Sequence, residues 1–241
     1  MTTRNAFPDG HASGHWLRTV RILDPNVTKY VTGSDTTKIK ARLWAAGGAG
    51  GGTATTASGT NAACAGGGGA GSYAETNFAV TPNTAYVCAI GLGGVPGTAG
   101  NNAGGNGGNT TLTVGTVTVT CNGGSGGSGS AAQAGAALGG PGGGGGAIST
   151  NGDFNLIGDT GFYGFTTAVL ASGETAVGGR GAYPAHNVGQ PGQEVQGNSS
   201  AGNSAMGYCA GGGGARSVGT AGPFAGGAGA SGAIIIDEFS Y

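Results

Sequence analysis

Few stretches of this chain hold residues whose types and spacing could do chemistry. His11 and His15 stand four apart beside Trp16, a spacing that would bring two metal ligands together on a helix. Gly14 lies between them and Pro8-Asp9-Gly10 precedes them, which are turn signals, so the segment reads as an exposed linker or partner contact and no metal site is expected. Gly123-Gly124-Ser125-Gly126-Gly127 fits the G-x-S-x-G nucleophile elbow, which needs a strand-to-helix turn backed by an acid and a histidine. The following GGSGSAAQAG starts no helix and no acid–histidine pair follows at persuasive positions, so no catalytic serine is assigned. Asp153, Asp159, Glu174 and Glu194 are the carboxylates available for acid–base work, and they are too scattered to mark a glycosidase pair. Dinucleotide-type glycine patterns carry no information at this glycine density, and no Gly-Lys-Ser/Thr of a P-loop occurs, so no cofactor is expected. Cys64, Cys88, Cys121 and Cys209 are widely spaced without a CxxC and read as free buried thiols.

What remains is a set of bulky residues set between glycine runs: Phe154, Phe162, Tyr163, Phe165, Tyr183, His186, Tyr208 and Phe224. They could plug gaps, since a stack of glycine needs apolar area from somewhere. They could equally form a recognition surface on loops over a rigid scaffold. Both readings are carried forward. Phe162-Tyr163-Gly164-Phe165, dense in rings and flanked by glycine, is the part expected to be exposed.

The elements that must position these residues are unusual. Sixty of 241 residues are glycine and only 8% are charged, which excludes an ordinary enzyme core. Collagen is excluded too, because no strict Gly-X-Y period exists. An ordered solution is a stack of polyglycine-II helices: three residues per turn, no internal hydrogen bonds, each helix satisfying its neighbours' N–H and C=O groups. Charge is uneven. Residues 1–42 hold Arg4, Arg18, Arg21, Lys29, Lys38, Lys40 and Arg42 against three acids, whereas the rest holds Arg180 and Arg216 against seven. No Lys or Arg lies from Leu43 to Gly179, so the glycine field is not expected to bind nucleic acid. No apolar run is long enough for a membrane span or a secretory signal, and no membrane insertion is expected.

Strands are predicted over Leu17–Leu23, Val27–Thr32, Lys38–Trp44, Ser72–Val80, Ala85–Leu92, Thr110–Val114, Thr116–Cys121 and Ala233–Phe239. In Lys38–Trp44 the residues Ile39, Ala41 and Leu43 point to one face, and Lys38, Lys40, Arg42 and Trp44 to a wet one. Thr81-Pro82-Asn83-Thr84 reads as the turn of a hairpin joining Ser72–Val80 to Ala85–Leu92. Ile234, Ile235 and Ile236 in a row predict burial on both faces of the last strand. The expected fold is therefore mainly β: a small antiparallel β-sandwich-like frame with polyglycine-II-type helices and long loops, and little or no α-helix. Residues 1–16 read as an attachment leader, 17–121 as the frame with the first glycine block, and 122–241 as the glycine-rich region with recognition loops and the closing strand 233–239.

The layout resembles the glycine-rich distal modules of bacteriophage tail-fibre and receptor-binding proteins. The segments that carry the likeness are TTKIKARLWAAGGAGGG, GGGGAGSYAETNFAVTPNTAYVCAIGLGG, GGNGGNTTLTV and the terminal GGAGASGAIIIDEFSY, in that order, from about Leu17 to Tyr241. A looser relative in logic is the tip adhesin of T-even-type long tail fibres, a sandwich of glycine helices with host-binding loops. The resemblance implies a non-enzymatic protein of the virion, at the distal end of a tail fibre, that binds a host receptor: a glycan, pilus or outer-membrane protein. It implies a homotrimer, or, after the T-even-type tip adhesins, a monomer that caps a trimer. The aromatic set above would be the receptor-binding residues, and Arg4, His11, His15, Trp16 and Arg18 would attach the chain to other tail proteins. A short leader from Met1 in place of a long shaft suggests a small separate tip protein or short fibre. The competing classes are a structural glycine-helix protein of the tail tip or an ice-binding scaffold, and a surface-glycan hydrolase. Thr111, Thr113, Thr116, Thr118 and Thr120 fall in or beside predicted strands, which speaks against a threonine array on the glycine runs.

Overall fold

The computed structural model describes residues 14–134, 137–166, 176–195 and 199–241. The fold is mainly β, with several antiparallel sheets and no α-helix among these residues. The strands that build its frame and far end are β1 (His15–Ile22), β2 (Lys29–Val31), β3 (Lys38–Trp44), β4 (Thr56–Cys64), β5 (Tyr73–Ala79), β6 (Ala85–Ala89), β7 (Thr110–Val114), β8 (Val117–Cys121), β9 (Phe154–Leu156), β10 (Arg216–Ala221) and β11 (Ala233–Ser240).

Two sheets form a sandwich, in the orders β1-β11-β3-β5-β9 and β2-β6-β7-β8. The alternation in β3 is realised: Ile39, Ala41 and Leu43 are fully buried, beside Ile234 and Ile236 of β11. They pack against Tyr30, Leu112 and Val119 of the second sheet. Ile235 faces the other side, half-buried in a smaller cluster with Trp44 and Tyr73, so β11 does pack on both faces. Glu238 continues the buried row and is itself inaccessible to water. Its carboxylate accepts from Arg18 Nε (3.0 Å) and Nη2 (2.9 Å), Tyr30 Oη (2.7 Å), Thr36 Oγ1 (2.6 Å) and the Gly33 amide (3.2 Å). Burial pushes this carboxyl up, but the bonds from Arg18, Thr36, Tyr30 and Gly33 outweigh it and hold the pKa below the usual carboxylate value. One acid thus ties β1 and β2 to β11.

From the end of this frame the glycine runs extend as a bundle. Along 45–53, the amides of Ala45, Gly48 and Gly51 bond Ser72, Gly69 and Gly66, and those of Ala46, Ala49 and Gly52 bond Gly108, Gly105 and Asn102. Those of Gly47, Gly50 and Thr53 bond Ala230, Gly227 and Phe224. Each neighbour thus returns every third residue. A β-strand would give period two; period three is that of the polyglycine-II helix. The carbonyls of the same run serve three further neighbours, accepting from Gly124 and Gly127, from Gly94 and Gly97, and from Gly212 and Ala215. Run 45–53 is therefore surrounded by six helices. The same accounting gives six neighbours to 65–72 and to 209–215. These three central runs touch one another, and nine others enclose them: 91–98, 102–109, 122–130, 139–147, 157–164, 178–183, 190–195, 200–205 and 224–232. Contact is close enough that a Cβ on Gly50 would overlap the Gly213 carbonyl, and one on Gly47 the Ala210 carbonyl.

At the far end of the bundle β4 pairs with β10, Cys64 opposite Arg216 and Thr56 opposite Ala221. Neither strand is foreseen in the sequence reading. β5 and β6 are not a hairpin: β5 pairs with β3 and β9, β6 with β2 and β7. The turn is present, with Asn83 left-handed at φ 52°, but it carries the chain from one sheet of the sandwich to the other. Trp44 is buried instead of wet, because the tilted ring of Tyr73 packs against it at 4.9 Å and its indole N–H donates to the Ala185 carbonyl at 3.0 Å. Two of the three central helices precede residue 122, and the third follows it. All four cysteines are free and buried, and burial raises the thiol pKa of Cys64 to about 11 and of Cys121 to about 12. Among the described residues no helix is long and apolar enough to cross a membrane.

Candidate binding face

Nine helices around a central triad give three broad faces of three helices each. The first, made of 102–109, 122–130 and 139–147, presents Asn106, Asn109, Ser125 and Pro141. Its asparagines are committed to the lattice: Asn106 Oδ1 accepts from the Gly126 amide and Asn109 Oδ1 from that of Gly123. The second, made of 91–98, 224–232 and 200–205, presents Leu92, Val95, Ala225 and Ala228. Leu92 and Val95 are strongly exposed, and run 200–205 adds exposed Asn203 and Ser204.

The third face, made of 157–164, 178–183 and 190–195, differs in kind. Gly158, Gly161 and Gly164 recur at period three and bury their backbone against the core of the bundle. The residues between them, Asp159 and Thr160, then Phe162 and Tyr163, then Phe165, are thereby turned to solvent. The neighbouring helix adds Arg180 and, three residues on, Tyr183. The Arg180 guanidinium carbon lies 4.6 Å from the ring centre of Phe162 and 4.9 Å from that of Tyr183, so the cation is clasped between two aromatic faces. Two shallow hollows flank this ridge. One, of about 330 Å3, runs from Phe162 and Arg180 to Tyr163, Phe165 and Glu194. The other, of about 270 Å3, is lined by Asp159, Thr160, Phe162, Arg180 and Tyr183. The three ion pairs among the described residues are all on the outer side and edge of the sandwich, and none engages Arg180.

The aromatic set therefore divides. Phe162, Tyr163, Phe165 and Tyr183 share the third face. Phe154 and His186 sit elsewhere, edge-on to Tyr73 with ring centres at 6.4 and 4.6 Å, where Tyr208 also packs. They close the junction between frame and bundle. Phe224 stands at the far end of the second face, its amide and carbonyl both bonded to Thr53. Of the attachment set, Arg4 and His11 lie outside the described residues, as does Glu174 of the scattered acids. His15 and Trp16 belong to strand β1, opposite Ser240 and Phe239, so the leader enters the sheet earlier than expected. Arg18 is committed to Glu238. Ser125 lies on an extended glycine helix and not on a strand-to-helix turn, so the elbow geometry is not formed. The residue that sequence reasoning missed is Arg180. Its signal was the three-residue step to Tyr183, matched by Asp159, Phe162 and Phe165 on the next helix.

Frame, bundle and face together define a glycine-rich scaffold that displays side chains from a lattice of extended helices. Residues 25–238 match the glycine-rich domain family, and the chain belongs to that family. Compared with curated proteins, the chain has no match.

Proposed function

We propose that this chain is a receptor-binding protein of a bacteriophage tail fibre or tail tip, which attaches without enzymatic activity to a host cell-surface receptor. The observation that carries the reading is the concentration of four exposed aromatic residues and Arg180 on one face of the bundle, where the first face carries small or lattice-bound side chains and the second the aliphatic Leu92 and Val95. Rings on a stiff support lose little conformational freedom on binding, which suits a contact surface. The order of segments that resembles tail-fibre modules supplies the biological setting. In that setting the chain sits at the distal end of the fibre in the virion, and His15, exposed Trp16 and the residues before them dock onto other tail proteins. Assembly as a homotrimer multiplies weak single contacts into avidity. A single arginine on the face leaves no basic track for nucleic acid.

The test is adsorption of the purified protein to candidate host bacteria, and its block of infection by a candidate phage. Phe162→Ala/Tyr163→Ala should abolish both while far-UV circular dichroism and melting stay as in the wild type. Adsorption retained in the double variant moves the contact to Tyr183 and the residues that follow it, or to Phe224. A wild-type protein that binds no cell favours a structural role within the tail.

A further inference from the structure

We infer that the ligand of this face is an uncharged saccharide chain, held as two consecutive units in the two hollows beside the Phe162–Arg180 ridge. The inference rests on the binding reading above and narrows it to a chemical class. Each hollow combines the same donor with its own acceptor: Arg180 with Asp159 in one, Arg180 with Glu194 in the other. A sugar hydroxyl donates one hydrogen bond and accepts others, so a hollow lined by both a guanidinium and a carboxylate offers it partners in both senses. An anionic group in either hollow would share it with a carboxylate, and a cationic one with Arg180, so neither sign of charge is favoured. Aromatic rings line both hollows, Phe162 and Tyr183 in one and Phe162, Tyr163 and Phe165 in the other, beside Thr160 in the first and Val177 in the second, and such rings suit the flat C–H face of a pyranose.

Size and stiffness point the same way. Hollows of about 330 and 270 Å3 lie at the small end of ligand sites, room for one ring-sized unit each and not for a folded peptide segment. The floor beneath them is lattice backbone: the Phe162 amide bonds the Arg180 carbonyl, and the Phe162 carbonyl accepts from Gly67 of a central helix. The two rings and the guanidinium are thus positioned before any ligand arrives. Face and target need no electrostatic steering, in keeping with a chain that carries 8% charged residues.

The experiment uses the whole chain against immobilised neutral hexose oligosaccharides of the glucose, galactose and mannose series and a uronic-acid oligomer of equal length, at low and high salt. Expected is saturable binding to a neutral series, changing less than about twofold with salt, since surface charge pairs alone respond to screening. Arg180→Gln and Phe162→Ala should each weaken it about tenfold while melting as the wild type does. Preference for the uronic-acid oligomer with steep salt dependence, failure of every saccharide to bind, or full binding by both variants would each overturn the inference. Bacterial adsorption in parallel separates the two claims. If Phe162→Ala abolishes adsorption and no saccharide binds, the attachment reading stands and the saccharide assignment fails. If a neutral saccharide binds with the expected variant sensitivity and no cell is adsorbed, the ligand class stands and the attachment reading fails.

Discussion

The sandwich and the bundle solve the same problem, ordering a backbone, by opposite means. The sandwich buries side chains: Ile39, Leu43, Leu112, Ile234 and Ile236 leave water together, and buried polar chemistry is concentrated at Glu238. The bundle buries backbone. Its central helices, AAGGAGGG, AGGGGAG and CAGGGGA, have almost nothing beyond a methyl group to remove from water, and their order rests on hydrogen bonds that return every three residues. The lesson is that the two regions fail under different insults. The bundle cannot accept a Cβ where a central glycine meets a neighbour's carbonyl, as at Gly47 and Gly50, whereas the sandwich accepts conservative changes of volume but depends on one ionised group.

The largest expected effect follows from the first half of that contrast. A methyl group on Gly50 would occupy the Gly213 carbonyl, and backbone held by six neighbours cannot yield as the tip of a long side chain would. Gly50→Ala should destabilise by about 4 kcal/mol or more, in the range reserved for exceptional substitutions. Thermal melting with limited proteolysis reads it, and a variant that melts within a few degrees of the wild type would show that the lattice is soft.

Glu238 tests the other half. Glu238→Leu removes an acceptor from the buried hydroxyls of Tyr30 and Thr36, at about 1–3 kcal/mol for each donor left unpaired. The same group makes the frame responsive to acid. Its pKa is lower folded than unfolded, so its contribution is complete above the unfolded carboxylate range near about pH 4.3 and is lost as pH falls through the folded value. Stability should therefore drop below about pH 4 in the wild type and drop less in Glu238→Leu. Equal acid sensitivity in both would move the titrating group elsewhere.

Much of the frame was legible in the sequence. The bounds of β3 and β7 were read correctly because β-branched and alternating residues fill them, and a glycine stack was deduced from composition and backbone accounting. β4 and β10 were not legible: TASGTNAAC and RSVGTA are too small and glycine-broken to show a period of two, and each is a strand because the other is there. Which glycine run neighbours which was also hidden, since glycine carries no side chain to specify a partner. What could have been read is rank within the bundle. A run with a bulky residue at every third position, such as Leu92 and Val95 or Phe162 and Phe165, has to be peripheral. That same period would have joined Arg180 to Tyr183 and set both beside Phe162.

The smallest expected effect has the opposite sign and sharpens the contrast most. Gly144 is exposed on the peripheral run 139–147, and a Cβ there would meet nothing nearer than the Ser125 hydroxyl at 3.9 Å. Its backbone is not left-handed, so alanine adopts it without strain. The substitution then acts mainly on the unfolded chain, which has fewer states to lose, and Gly144→Ala should stabilise by about 0.4–1 kcal/mol. Denaturant unfolding followed by circular dichroism resolves a change of that size. If Gly144→Ala destabilises as Gly50→Ala does, glycine is required throughout the helix for a reason other than contact, and the distinction between central and peripheral runs falls. If it stabilises, the glycine requirement belongs to the contacts between helices, and the outward third of each peripheral run is free to carry whatever side chains the binding face needs.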